Sequence, residues 1–295
     1  LYLKEAQKRK LVRPTGEYSE SEERITGGYV MESKPGIYDY VLILDFKSLY
    51  PSVIRTFNID PYSFTKEKIK DVIIAPNKAM FRNEEGILPE IITRLHAERE
   101  KAKKEKNELA SHAIKILQNS FFGVLASPSC RFYNLDVANA ITHFARYIIQ
   151  LTAKKIQEIG YEVIYQDTDS AHTLSNAKDY DEANKIGKKI EKEINDFYKE
   201  FIKKEYKRQS FLELQFERCF IRFLMPKLRG SEKGAKKRYA GLIINEKGKE
   251  EIKFTGMEAI RSDWVEAAKE FQYELLNRVF HKEEVFEFIK KFVKI

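Results

Sequence analysis

The chain has 295 residues, 43% hydrophobic and 33% charged, which is too apolar for a disordered segment and too charged for a membrane protein. No apolar run approaches the ~18 residues that span a bilayer, LYLKEAQKRK at the start has no signal-peptide core, and two cysteines, Cys130 and Cys219, fall short of a disulfide framework or a four-ligand zinc site. The net charge of +8, from 53 Lys+Arg against 45 Asp+Glu, favours a polyanionic partner such as nucleic acid, but Lys/Glu-rich solvated faces are common enough that charge alone decides nothing.

Residues 1–36 are polar and broken by Pro14, Gly16, Gly27, Gly28, Pro35 and Gly36, and read as an arm of loop and short strands. VLILDF at 41–46 is a β-branched apolar run that predicts a buried strand ending at a carboxylate. Turn-forming residues dominate from Asn58 to Gly86. Pro89 then opens a helical pattern, LPEIITRLHAEREKAKKEK, with Ile91, Ile92 and Leu95 on one face. After a break at Asn107 a second helix, ELASHAIKILQNSFF, completes a helical hairpin. VANAITHFARYIIQLTAKKIQEIG reads as a long helix stopped at Gly160. YEVIYQ and AHTLS read as strands around the acidic turn DTDS, and a charged amphipathic helix covers 181–205. ELQFERCFIRFLMP and KKRYAGLIIN read as strands, and Trp264 to Ile295 as amphipathic helix. The expected fold class is α+β, with a mixed or antiparallel sheet, packed helices and an inserted antiparallel helical hairpin.

The acidic turn carries the chemistry. In extended geometry Asp167 and Asp169, two apart, project to one face. Two carboxylates on one face repel, and a divalent cation relieves that repulsion. Asp45, ending another buried strand, can supply a third. Mg²⁺ prefers such hard oxygen ligands, and two ions can clamp the attacking and leaving oxygens of an in-line phosphoryl displacement. An isolated DxD, by contrast, often just satisfies backbone N–H groups in a turn.

What singles this one out is its company. DFKSLYPSVIRTFNIDP (45–61), GILPEIITRLHAEREKAK (86–103), KILQNSFFG (115–123), YQDTDS (165–170), KKRYAGLI (236–243) and TGMEAIRSDW (255–264) resemble, in order and spacing, successive signatures of family B DNA polymerases. LDFKSLYPS, CRFY, RFLMP and RGSEKGAKKRYAGLI look most like the DNA polymerase II-like branch. The resemblance runs from about Gly27 onward. It implies an N-terminal arm or remnant over 1–36, a palm over 37–86 and 124–263, a fingers hairpin over 87–123, and over 264–295 the start of a thumb or a C-terminal helix.

The same resemblance implies site roles. Asp45 and Asp169 match the principal metal-bridging carboxylates and Asp167 the third acidic position, with Phe46 offering its carbonyl to a metal; two Mg²⁺ ions are expected, with Mn²⁺ as a substitute. Ser48 and Leu49 would present N–H groups to the triphosphate. Tyr50 falls on the steric gate beneath the incoming sugar. Arg99 and Lys103 are i,i+4 neighbours on one helix, as Lys115 and Asn119 are on the next. Packed antiparallel, these faces would converge on one triphosphate, with Arg as a bidentate fork and Lys as a compact charge. A solvated basic face would explain KAKKEK equally well, but suits Lys115 poorly because Ile114, Ile116 and Leu117 surround it. Lys237, Arg238 and Tyr239 match a primer-contacting segment, and Arg261 adds a primer-phosphate contact.

Three departures stand out. Phe122 replaces a tyrosine whose hydroxyl helps inspect the base pair. Gln166 replaces a small residue before the acidic turn, where a longer side chain could crowd or hydrogen-bond the primer end. Only 44 residues precede Asp45 and the stretch after Trp264 is short, so an exonuclease is not expected in this chain and the thumb is expected to be absent or vestigial. The chain then reads as a shortened piece, one part of a split enzyme, or a naturally minimal polymerase. The expected partners are primer–template DNA, dNTP and separate chains carrying exonuclease and thumb, with no membrane, in a cytoplasmic, nucleoid-associated setting. The leading function is DNA synthesis. A non-catalytic polymerase-derived DNA-binding or assembly subunit and a metal-dependent nuclease are the alternatives; intact Asp45, Asp167, Asp169 and Lys115 argue against the first, whereas the second would share the carboxylates but would not need the Tyr50 gate or the basic pairs of the fingers.

Overall fold

The computed structural model describes residues 1–12, 25–67, 69–228 and 230–293. Residues 13–24 of the expected arm, Arg229, and the last two residues of the expected C-terminal helix lie outside the described residues. In chain order the elements are α1 (Tyr2–Lys8), β1 (Gly36–Phe46), α2 (Leu49–Thr56), β2 (Phe64–Thr65), β3 (Val72–Ile74), β4 (Met80–Arg82), α3 (Ile87–Lys104), α4 (Glu108–Ala126), α5 (Leu135–Glu158), β5 (Val163–Asp167), β6 (Ser170–Leu174), α6 (Tyr180–Tyr206), β7 (Leu214–Met225), β8 (Tyr239–Ile244), β9 (Glu250–Thr255), a 3₁₀ turn (Glu258–Ile260), α7 (Glu266–Phe280) and α8 (Phe286–Val293). This is mixed α and β with antiparallel sheets, as the α+β reading expects. Two compact units divide the chain: Leu1–Tyr29, Phe46–Leu151 and Asn195–Leu214 form the first, and Val30–Asp45, Thr152–Ile194 and Gln215–Ile295 the second.

In the first unit, α3 and α4 pack as a helical hairpin joined through Asn107, whose side chain caps α4 by accepting from the Ala110 N–H at 3.0 Å. Ile87, Leu88, Ile91, Ile92 and Leu95 form the buried stripe of α3. Its N-terminus is fixed by two buried polar residues. Asn58 Oδ1 accepts from the Gly86 N–H at 2.9 Å, and Asp60 Oδ1 accepts from the Leu88 N–H at 2.8 Å, so donors that a helix start leaves open are satisfied from outside. Gly86 has no alternative here, because a Cβ would lie 2.6 Å from that of Asp60. The same Asp60 accepts from Tyr2 Oη at 2.7 Å, tying down α1. The expected arm of loop and short strands is therefore corrected by a helix at its start, and the turn-rich stretch holds the small sheet β2-β4-β3.

The second unit carries a six-stranded sheet in the order β5-β6-β1-β7-β8-β9. Strand alternation divides its apolar residues between two cores. Ile243 joins Val41, Ile43, Ile164, Tyr165 and Phe223 on one side, whereas Ala240 and Leu242 join Ile252, Leu276 and Phe280 on the other. Each large side chain so buried contributes about 1.5–3 kcal/mol. Gly241 makes the packing possible, since a Cβ there would lie 2.2 Å from Phe220 Cδ1. β1 enters this sheet beside β6, with Asp45 in register with Ser170.

Candidate active site

The acidic turn is tighter than an extended DxD. Asp167 ends β5 and pairs with Ser170 at the start of β6, leaving Thr168 and Asp169 as the loop. The Asp169 N–H donates to the Asp167 carbonyl at 2.6 Å across Thr168, whose φ is 54°. A β-branched residue at positive φ is strained, and such strain persists only where surroundings enforce it. The expected geometry is thus corrected: a γ-type turn, not a strand, sets the two carboxylates. Burial raises the Asp169 carboxyl above its usual range, and the neighbouring Asp167 charge adds to the rise. Among the described residues no three His, Cys, Asp or Glu side chains form a ready-made metal-holding group.

Lys237 is aimed at this turn. Its Nζ lies 2.6 Å from Asp167 Oδ1, and its N–H donates to Tyr165 Oη at 2.8 Å. Burial pushes the Tyr165 hydroxyl up to about 12, keeping it protonated while it accepts this bond. Lys237 has φ 58°, and Gly256, at φ 60°, brings its Cα against the Lys237 carbonyl so closely that a Cβ would come within 2.1 Å. Tyr239 packs its ring 5.0 Å from that of His172, a buried neutral imidazole whose pKa burial lowers to about 3.

The other two basic residues expected at the primer are held by acids. Arg238 pairs with Glu258, which also accepts from Gln272 Nε2 at 2.8 Å. Burial alone would raise Glu258, yet the bonds from Gln272 and Arg238 bring its carboxyl down to about 2. Arg261 forks onto Asp263 at 2.9 and 2.6 Å. Either arginine would have to exchange a carboxylate for a phosphate to hold DNA.

The residues expected at the nucleotide lie in the first unit. Ser48 precedes α2 with φ 52° and makes no side-chain cap bond, and its Oγ accepts from Arg99 Nη1 at 3.4 Å. Leu49 is buried behind it. Tyr50 meets Phe122 edge to face at 5.1 Å. Lys103 pairs with Glu100 on its own helix at 2.7 Å. Lys115 and Asn119 are exposed on α4. Contrary to expectation, apolar neighbours do not set Lys115 apart, because Ile116 and Leu117 are exposed too and Gln118 is the buried residue beside them. Gln166 is likewise packed inside, with 2% exposure, so its side chain does not crowd an open surface.

The sequence pattern of DNA polymerase family B matches residues 1–295. The chain belongs to that family. This family B chain is 43% identical over 270 residues to DNA polymerase II of Escherichia coli (strain K12), covering 90% of the chain and 34% of that relative, in keeping with the branch its motifs resemble. It is 31% identical over 296 residues to a DNA polymerase of Thermococcus sp. (strain 9oN-7), covering 96% of the chain and 34% of the relative. With DNA polymerase 1 of Pyrococcus abyssi it shares 32% identity over 282 residues, 91% of the chain and 34% of the relative. The family B chain thus spans about a third of the length of the curated relatives it matches. Among the described residues no helix is long and apolar enough to cross a membrane.

Tyr165, Glu258 and Gln118 were given no role from sequence. Tyr165 and Glu258 lie inside quoted motifs, YQDTDS and TGMEAIRSDW, which was the available signal. Gln118 lies inside KILQNSFFG in the same way, although an amide on a helix reads as surface.

Proposed function

We propose that this chain carries the catalytic core of a template-directed DNA polymerase, which transfers a nucleotidyl group from dNTP to a primer 3′-hydroxyl and releases pyrophosphate. The observation that carries the reading is the strained Asp167–Thr168–Asp169 turn, with Asp45 in register beside it at Ser170, in a chain matched along its whole length by the family.

The donor set fits two Mg²⁺ ions, or Mn²⁺ in their place. All the candidate ligands are hard oxygens, and a bound cation would favour the charged form of the Asp169 carboxyl, which burial first and the Asp167 charge second push upward. Asp45 and Asp169 would hold both ions, with Asp167 and the Phe46 carbonyl completing the protein's share; waters and phosphate oxygens fill the rest of such a shell. Bound there, the metals would supply charge stabilisation for the attacking and leaving oxygens.

The chain's own groups bind and orient. Lys237, released from Asp167, would meet the primer backbone, with Arg238, Tyr239 and Arg261 adding contacts along it. N–H groups at Ser48 and Leu49, with Arg99, Lys103, Lys115 and Asn119, would bind the triphosphate as fixed donors. The Tyr50 ring would exclude a ribose 2′-hydroxyl, and Phe122 would pack against the nascent pair without a hydroxyl to read it.

The test is extension of a labelled primer–template with Mg²⁺ and dNTPs, by this chain and by any longer protein containing it. Asp45→Ala and Asp169→Ala should each reduce extension on the order of 10³-fold or more with the circular dichroism unchanged. A folded variant extending at near wild-type rate would remove the assignment.

A further inference from the structure

A cavity of about 390 Å³ lies within the first unit, bordered by α2, α3, α4 and the segment 209–213. Its size falls in the range of small-ligand sites, roughly 300–1,000 Å³. Ser48, just before helix α2, lines it with Ser52 and Arg55, three apart on that helix, and α3 contributes His96. Of the residues expected to hold a dNTP, Ser48 alone borders it; Tyr50, Arg99, Lys115 and Asn119 do not.

The lining has a definite chemistry. Arg55 lies over the Phe211 ring at 3.8 Å, and its Nε donates to Thr93 Oγ1 at 3.0 Å, which fixes the guanidinium plane. Lys47 adds a second cation, 3.2 Å from Glu213, the acid in the wall. Burial, then the charge of Arg55, lowers the pKa of His96, so the imidazole is a neutral donor and acceptor. Gln118 is decisive. Its side chain is 2% exposed and lines the cavity, its Nε2 donates weakly to the Ile92 carbonyl at 3.4 Å, and its Oε1 has no partner. A buried acceptor left open is rare in a folded protein and marks a missing donor. The wall therefore asks for a ligand with anionic oxygens for Lys47, Arg55, the Ser48 hydroxyl and the Ser52 hydroxyl, the last exchanging its 3.3 Å bond to the Lys47 carbonyl, and a hydrogen to give to Gln118.

We propose that this cavity binds a small phosphate-bearing ligand, separately from the nucleotide that the polymerase reaction consumes. The shared chemistry is a phosphate carrying a proton or a donor group, and two sources supply it: protonated pyrophosphate, or a nucleoside monophosphate whose base N–H reaches Gln118. The inference rests on the cavity and stands whether or not the chain extends primers.

The test is calorimetric titration of the whole chain, without metal, with sodium pyrophosphate in one arm and AMP in the other, together with NMR of the His96 ring and the Gln118 side-chain amide. At least one ligand should saturate and shift both residues, and the arm that does so identifies the source. Gln118→Leu keeps the volume and removes the open acceptor, so it should melt no lower than the parent, bind about tenfold more weakly, and leave the KM for dNTP in primer extension within about twofold. Ser52→Ala is the second variant, expected to weaken binding in the same direction should Gln118→Leu fold poorly. The inference falls if neither ligand saturates by about 5 mM, if binding leaves His96 unmoved, if the variants bind as the parent does, or if the KM for dNTP rises in step with the lost affinity.

Discussion

The two groups of candidate residues hold their charges in opposite ways. In the second unit every base expected at the primer is already committed: Lys237 to Asp167, Arg238 to Glu258, Arg261 to Asp263. In the first unit Lys103 is paired with Glu100 on its own helix, but Lys115 and Asn119 stand exposed and Arg99 reaches Ser48 through a single long bond. Internal partners fix geometry before any substrate arrives, and the proposed DNA contact would require an exchange of partners. Exposed cations pay side-chain entropy only when an anion collects them. Under the proposed function, the first arrangement would suit positions held exactly beside metals, and the second a triphosphate that enters and leaves at each cycle.

This contrast can be broken at its stiffest point. Gly256→Ala forces a Cβ toward the Lys237 carbonyl at a φ that alanine tolerates poorly. Thermal or urea unfolding should show a loss of about 2–4 kcal/mol, and Lys237 should lose its contact with Asp167. A variant as stable as the parent would mean that Lys237 is not held by its backbone.

Next in size is the acid response of Glu258. Its folded pKa, about 2, lies below the ordinary 4.5, so its bonds to Gln272 and Arg238 add stability that is present above pH 4.5 and is lost as pH falls toward 2. With Arg238 partly exposed, the loss should be about 1–2 kcal/mol. Urea melts at stepped pH should show it in the parent and not in Glu258→Gln; identical slopes would show that the pair carries no stability.

Smallest is the effect at the open side. Tyr50→Ala removes a ring and no charge, so dNTP turnover should fall little, while discrimination against ribonucleotides drops by about tenfold or more. Competitive single-nucleotide insertion measures it directly. Unchanged selectivity in an active variant would place the gate elsewhere.

The fold was legible wherever period and punctuation agreed. Pro89 falls in the first turn of α3, Asn107 caps α4 where the hairpin breaks, and Asp45 lies next to last in a strand whose second half is largely buried, much as their residues suggest. Short elements were not: β2, β3 and β4 run only two or three residues and carry no period, and α1 depends on a hydroxyl from Tyr2 reaching Asp60 across 58 positions of sequence. At the candidate site, residue identity came from the motifs but conformation did not. Nothing in DTDS announces a threonine at positive φ, because that backbone is imposed by the strands it joins. The partners of Arg238 and Arg261 were equally hidden, since sequence counts charges without saying which ones cancel.

The edge-to-face contact between Tyr50 and Phe122 has a consequence for error. In a nucleotide site built on these residues, one ring answers to the sugar and the other to the base pair, and neither can shift without the other feeling it. A wrong sugar and a wrong base would then report through a common joint. Substitutions at the two positions should be non-additive, as neighbours in contact generally are. Selection for a lineage that admits damaged or modified nucleotides would meet a constraint there: loosening one kind of vigilance loosens the other.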